Sequence, residues 1–111
     1  MLDDLDDQSL DELPFGVVCL SRAGTVLRMN RTESERSGLQ RWRVLGRDFF
    51  RDVAPASAEL AEKVRAFVAT RRAPRAIPHT FHRRAGDDET TIELIPAREP
   101  DRVYLCIYRA A

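Results

Sequence analysis

The chain has 111 residues, enough for one domain with one core, and its formal net charge is zero. It holds no apolar run long enough to span a bilayer and no basic stretch leading into an apolar one, which points to a soluble cytoplasmic protein without a secretory signal. Arg71–Arg72 and Arg83–Arg84 are only pairs, so no nucleic-acid patch is read, and no membrane partner is expected.

The charge is unevenly placed. Asp3, Asp4, Asp6, Asp7, Asp11 and Glu12 crowd the start, and Leu2, Leu5, Leu10 and Leu13 give that segment an apolar side. Residues 1–13 therefore read as a weakly helical acidic cap, with Ser9 and Glu12 at capping-box spacing, closed by Pro14. Residues 14–111 read as the domain proper. Phe15 to Leu20 is a compact apolar strand, Ser21 to Gly24 a turn, and Thr25 to Met29 the returning strand of a hairpin.

Asn30 suits an N-cap, and short helical pieces follow at 31–37 and 40–45, separated by Gly38 and ended by Gly46. The next stretch runs Gly46-Arg-Asp-Phe-Phe-Arg-Asp-Val-Ala-Pro-Ala56. Its adjacent Phe49 and Phe50 call for burial, and Pro55 stops whatever precedes it. Ser57 is read as the cap of a longer helix reaching about Arg72, with Leu60, Val64, Phe67 and Val68 on one face. Pro74 and Pro78 punctuate its exit. Three alternating strands complete the chain. The first carries Ile77, His79 and Phe81, the second Ile92 and Leu94, the third Val103, Leu105 and Ile107, with turns at Gly86-Asp87-Asp88 and Glu99-Pro100-Asp101. The order predicts an α+β domain: a five-stranded antiparallel sheet, short helices and one longer helix on one face, and a helical N-terminal cap.

This order of elements resembles the PAS (profilin-like) fold. The local sequence goes further and resembles the photoactive yellow protein family. The match runs from Leu5-Asp6-Asp7 through Leu13-Pro14-Phe15-Gly16 and Leu27 to Asn30. It continues through Gly38 and Val44-Leu45-Gly46 to Phe49-Phe50-Arg51-Asp52-Val53-Ala54-Pro55, and beyond Ala56 it is one of pattern only. The resemblance implies a coumaroyl thioester on a cysteine after Val-Ala-Pro, but Ala56 stands there. Of the residues it implies around the phenolate, Met29 replaces a tyrosine, Glu33 is retained, Ser37 replaces a threonine, and Leu39 occupies the gating-arginine position. The expectation is a photoactive-yellow-protein-like sensory scaffold that is not a coumaroyl photoreceptor.

Several alternatives stay open on sequence alone. Glu33 either faces the pocket, where burial raises its pKa and favours a hydrogen-bond-donating neutral acid, or turns to solvent beside Arg31, Glu35 and Arg36. The apolar set of Val18, Met29, Phe49, Phe50, Val53, Phe81, Leu105 and Ile107 suits a filled core or a ligand cavity. The candidate pocket is Glu33, Met29, Ser37, Phe50, Ala56 and Phe81. No cofactor or metal is expected. A small phenolic ligand and, more remotely, haem at His79 are the alternatives, His82 falling on the opposite sheet face. On the outer face, Val17, Cys19, Tyr104, Cys106 and Tyr108 form an apolar, tyrosine-rich patch that either the cap or another chain covers. Cys19 and Cys106 read as reduced, with a redox pair as the alternative. No catalytic constellation appears, so no enzyme is expected. The chain ends with the fifth strand, leaving no signalling helix. The functional expectation is a free-standing bacterial signalling module that acts in trans as an interaction or adaptor domain, with a homodimer through the outer face or cap as one form. The alternative is a sensor of a non-covalent ligand near Glu33.

Overall fold

A computed structural model of the chain describes residues 1–72 and 76–110; Pro74 lies outside them. The helices are α1 (Asp7–Asp11), α2 (Arg31–Ser37), α3 (Arg41–Val44) and α4 (Ala58–Thr70), with a 3-10 turn at Leu2–Asp4 and a π-helical turn at Phe49–Val53. The strands are β1 (Gly16–Ser21), β2 (Val26–Met29), β3 (Ile77–Arg83), β4 (Gly86–Pro96) and β5 (Arg102–Tyr108). They form one antiparallel sheet in the order β2-β1-β5-β4-β3, as the α+β reading requires. No helix among the described residues is long and apolar enough to cross a membrane.

The period-two pattern sorts the sheet into two faces. Val18, Leu20, Leu105 and Ile107 point inward, where Leu60, Val64, Phe67 and Val68 of α4 meet them together with Phe49 and Phe81. Val17, Cys19, Tyr104 and Cys106 point the other way and form a second cluster with Leu10. Leu2, Leu5, Leu13 and Phe15 pack against that cluster, so the acidic cap covers the outer face in cis.

Local chemistry departs from the sequence reading at four places. Asp6, not Ser9, caps α1: its carboxylate accepts from the Ser9 N–H. Ser57 sits at the N-cap of α4 but makes no side-chain cap bond, because its hydroxyl is engaged by His79 Nε2 at 2.9 Å. The α4 helix ends one residue before Arg71, which adopts a left-handed φ of 60° and sends its guanidinium to the Ala97 carbonyl. The β3–β4 turn is Arg84–Ala85; Gly86, Asp87 and Asp88 already pair with Arg83, His82 and Phe81.

Candidate functional site

Asn30 holds the start of α2 and does more than cap it. Its Oδ1 accepts from Glu33 N at 3.0 Å and from Val17 N at 2.9 Å. Its Nδ2 donates to the carbonyls of Leu10 and Phe15 at 2.9 and 3.0 Å. One fully buried amide thus joins the cap, β1 and α2, with all of its usual hydrogen-bonding capacity used.

Three residues further on, Glu33 is buried rather than solvent-facing, which overturns the exposed alternative. Its carboxylate accepts two hydrogen bonds from the Arg109 guanidinium, at 2.7 and 3.1 Å. Arg109 also donates two bonds of 2.8 Å to Asp88, and Asp88 accepts from Arg83 at 3.1 Å. Two acids and two guanidiniums alternate, so the buried charges are compensated. Burial raises the Glu33 carboxyl above the ordinary Glu value, and the Arg109 fork works against that rise. The fork is the geometry of an ionised carboxylate. Glu33 is therefore not a neutral donor waiting for a phenol. Asp88 is held below the usual carboxylate range, first by its hydrogen bonds from Arg109.

The candidate pocket residues do not converge. Met29 belongs to the inner core, and Phe50 lies edge-on to Phe49, against the hairpin turn at Gly24. Ser37, Ala56 and Phe81 do share a cleft of about 380 Å³, together with Leu39, Ala54 and Arg83. Neither Glu33, Met29 nor Phe50 lines it. Ala56 is exposed at its mouth, and the Ser37 hydroxyl is occupied by the Leu39 N–H at 3.1 Å. These residues do not fit a thioester-linked phenol: Ala56 has no thiol, Met29 has no hydroxyl, and both carboxylate oxygens of Glu33 are taken. The cleft meets the ion-pair chain only at Arg83, whose guanidinium also lies 4.7 Å over the Phe81 ring. His79 faces Phe81 and bonds Ser57, whereas His82 is exposed and bonds Asp87 at 2.9 Å. Burial lowers the His79 pKa, keeping the ring neutral.

The outer-face patch is not an open surface in this conformation. Val17, Cys19, Tyr104 and Cys106 are all buried under the cap, and only Tyr108, stacked 4.9 Å from Phe15, stays exposed at the margin. Arg28 fastens the cap. It donates to Leu5 O at 2.8 Å, Asp7 at 3.2 Å and the Tyr104 hydroxyl at 2.9 Å. Tyr104 in turn donates to Asp3 at 2.7 Å, and Arg98 bonds both Asp3 and Asp4. The α1 end is tied by Asp11, which accepts from Arg31 N at 2.7 Å and from Arg41 at 2.9 Å. Burial pushes the Cys19 thiol up to about 11 and the Cys106 thiol up to about 12. The two cysteines are free and diagonal across β1 and β5, since Cys19 faces Tyr104 and Cys106 faces Val17.

Sequence reasoning missed Arg109 and Arg28. Arg109 continues the inward parity of Val103, Leu105 and Ile107, a signal readable in the sequence one residue past the end of β5. Arg28 pairs across β1 with Cys19 of the outer face, and the register shift beside that pair, with Val26 and Met29 both inward, hides it from simple alternation.

Comparison with known proteins agrees with this architecture. A family model described as "PAS fold" matches residues 10–109. The photoactive yellow protein of Rhodothalassium salexigens is 39% identical over 54 residues, covering 49% of this chain and 43% of the relative. That of Halochromatium salexigens is 39% identical over 56 residues, 50% of this chain and 45% of the relative. Each match thus spans less than half the length of the curated relative. Among solved structures, the photoactive yellow protein domain of the sensor histidine kinase Ppr from Rhodospirillum centenum superposes with a TM-score of 0.88 at 28% identity, covering 96% of both chains. The PAS domain of the Cronobacter turicensis quorum-sensing receptor RpfR, in complex with C12:0, gives 0.74 at 22% identity over 90% of this chain and 97% of that one, a likeness of fold alone. The chain belongs to the PAS fold family of sensory domains and resembles its photoactive yellow protein branch.

Proposed function

We propose that this PAS domain is a non-catalytic interaction module that acts in trans through its outer sheet face, with its own acidic cap as a removable cover. The observation that carries the reading is the double character of the cap. It buries an apolar face containing Val17, Tyr104 and Cys106, yet among the described residues no backbone pairing ties it to the domain; its polar attachment runs through side chains, Arg28, Arg98 and Tyr104 at its start and Asn30, Thr32 and Asp11 at its end. A face of that composition is one that soluble monomers keep covered, and tyrosine is enriched where chains meet. The partner on this reading is a signalling protein or a second copy of the chain.

The test removes residues 1–13 and measures self-association by light scattering, together with capture of partners from a lysate of the source cells. The truncated protein is expected to self-associate or capture a partner that the full chain does not, and Tyr108→Glu at the margin of the face is expected to weaken this. A truncated protein that stays folded and monomeric, with an unchanged set of captured proteins, sinks the reading.

A second reading is favoured by the cleft. Its volume of about 380 Å³ lies within the range of small-molecule sites, and its lining joins apolar Leu39, Val53 and Phe81 to polar Ser37, His82, Arg83 and Arg84. On this reading the chain senses a small non-covalent ligand beside α2, not a covalent coumaroyl group. Native mass spectrometry and an absorption spectrum of protein purified from its source cells decide it. A ligand-free mass, with no binding of phenolic compounds or haem on addition, removes it.

A further inference from the structure

Trp42 lies outside both the cap cluster and the cleft. This is the only tryptophan of the chain, and it is 72% exposed on α3. Leu45, three residues on, is exposed beside it. Large apolar side chains elsewhere are mostly drawn into the two core clusters. The Arg43 guanidinium lies 5.1 Å over the indole ring and stacks on it.

Trp42 forms one wall of a groove between α3 and the π-helical turn. The floor is apolar: Leu39, Val44 and Val53. The rim is basic: Arg43, Arg47 and Arg51 against Asp52 alone. The arginines that fasten the cap and the Glu33 site are paired, Arg28 with Asp7, Arg41 with Asp11, Arg98 with Asp4 and Arg109 with Glu33. Among the described residues, Arg43 and Arg47 have no carboxylate partner. Arg51 has only its neighbour Asp52 at 3.4 Å, both exposed, an attachment worth little.

We propose that this groove is a docking site for an acidic protein segment that carries an apolar anchor residue. The anchor side chain packs on Leu39, Val44 and Val53 against the indole. The acidic residues on either side of it meet the guanidiniums of Arg43, Arg47 and Arg51. Tryptophan and arginine are the residue types that dominate binding at protein interfaces, and rim charges of one sign select a partner of the other. A recessed apolar floor takes a side chain and not a flat phosphate surface, which favours a protein segment over a membrane. This surface involves α3 and the 49–53 turn, so it stands independently of the cap as a switch.

Because Trp42 is the sole tryptophan, its emission reports on the groove directly. The full chain is titrated with a short synthetic acidic peptide bearing a central leucine pair, and with the same peptide carrying lysines in place of the acids. The acidic peptide is expected to give a saturable blue shift that weakens with added salt. In the Arg43→Glu/Arg47→Glu variant, both positions being exposed, the affinity is expected to fall roughly tenfold or more while the melting temperature stays at the parent value. The Leu39→Asn variant, which alters the floor and leaves the charges, is expected to weaken the same shift. An emission unmoved by the acidic peptide overturns the proposal. So does a shift produced equally by the lysine peptide, or one produced by anionic phospholipid vesicles and not by the acidic peptide.

Discussion

Replacing Arg109 by leucine tests whether Glu33 is a paired structural charge or a group held for a ligand. The Arg109 side chain is 10% exposed and that of Glu33 is 3% exposed. Among the described residues, Arg109 is the only side chain that hydrogen-bonds the Glu33 carboxylate, and it supplies two of the bonds to Asp88. Its removal leaves one nearly buried carboxylate without a partner and takes two of three side-chain hydrogen bonds from a second. Breaking a buried pair on one side costs about 3–5 kcal/mol, so for a domain of this size the melting temperature is expected to fall by roughly 12 °C or more. Glu33→Gln is milder, about 1–2 kcal/mol, because Arg109 keeps Asp88. The double variant should be less destabilised than the sum of the two, with a coupling of about 1 kcal/mol or more. The defect also has a pH signature. Burial raises the folded-state pKa of Glu33, and without Arg109 nothing comparable opposes it. A raised carboxyl pKa favours the fold at pH values below the unfolded value and loses that advantage as pH rises through the folded one. The Arg109→Leu defect should therefore grow as the pH rises above the ordinary glutamate value. Thermal melts across that range check it. A variant within about 0.5 kcal/mol of the parent at every pH would refute the reasoning.

Four other outcomes are expected. Gly16→Ala should cost about 1–3 kcal/mol, since a Cβ there would stand 2.1 Å from Glu33 Oε1 and 3.1 Å from two of its carbons; a melt at the parent temperature counts against the close packing of β1 on α2. Asn30→Ala should cost about 2–4 kcal/mol through the lost cap and the buried groups it orphans, and hydrogen exchange should quicken in both the cap and α2. Thiol reagents should leave Cys19 and Cys106 unlabelled near neutral pH, because burial holds both pKa values far above it, and removal of residues 1–13 should speed the labelling, as followed by mass spectrometry. Acid should loosen the cap: Asp3 and Asp4 are held low, first by the Arg98 N–H and the Arg98 side chain respectively, so their contribution is present above the ordinary carboxylate pKa and is lost as pH falls through the lowered values. Exchange of cap amides should then rise before that of β1 and β5.

The strands and the long helix were legible because their signals are local and periodic. Alternation separated Val17 and Cys19 from Val18 and Leu20, and the spacing of Leu60, Val64, Phe67 and Val68 marked the buried stripe of α4. Asn30 was legible as a cap for the same reason. What escaped depends on pairing across the chain. The partner of Glu33 is 76 positions away, and no local pattern says whether a carboxylate meets a guanidinium or water. Sequence alone leaves the covering of the outer face open between the cap and another chain, because leucines at 2, 5, 10 and 13 only state that the cap has an apolar side. Ser57 shows the competition at its smallest scale: cap chemistry is local, but the hydroxyl went to His79 on another element.

These long-range pairings give the two halves of the proposed function a shared support. The cleft side reaches α2 through Arg83, Asp88, Arg109 and Glu33. The cap reaches the same helix through the Leu10 carbonyl, which accepts from Asn30, and through the Leu13 carbonyl, which accepts from Thr32 at 2.6 Å. Asn30 Oδ1 binds the Glu33 N–H and the Val17 N–H at once, so a shift at the start of α2 cannot leave both the cap bond and the β1 bond intact. Proximity alone does not make a coupling. A single buried amide whose four bonds divide between cap, strand and helix does give a physical means, because one group cannot follow three elements that move apart. A ligand in the cleft would act on the cap only by favouring a position of α2 in which those four bonds are no longer all made, and its leverage is limited to its difference in affinity between the two positions.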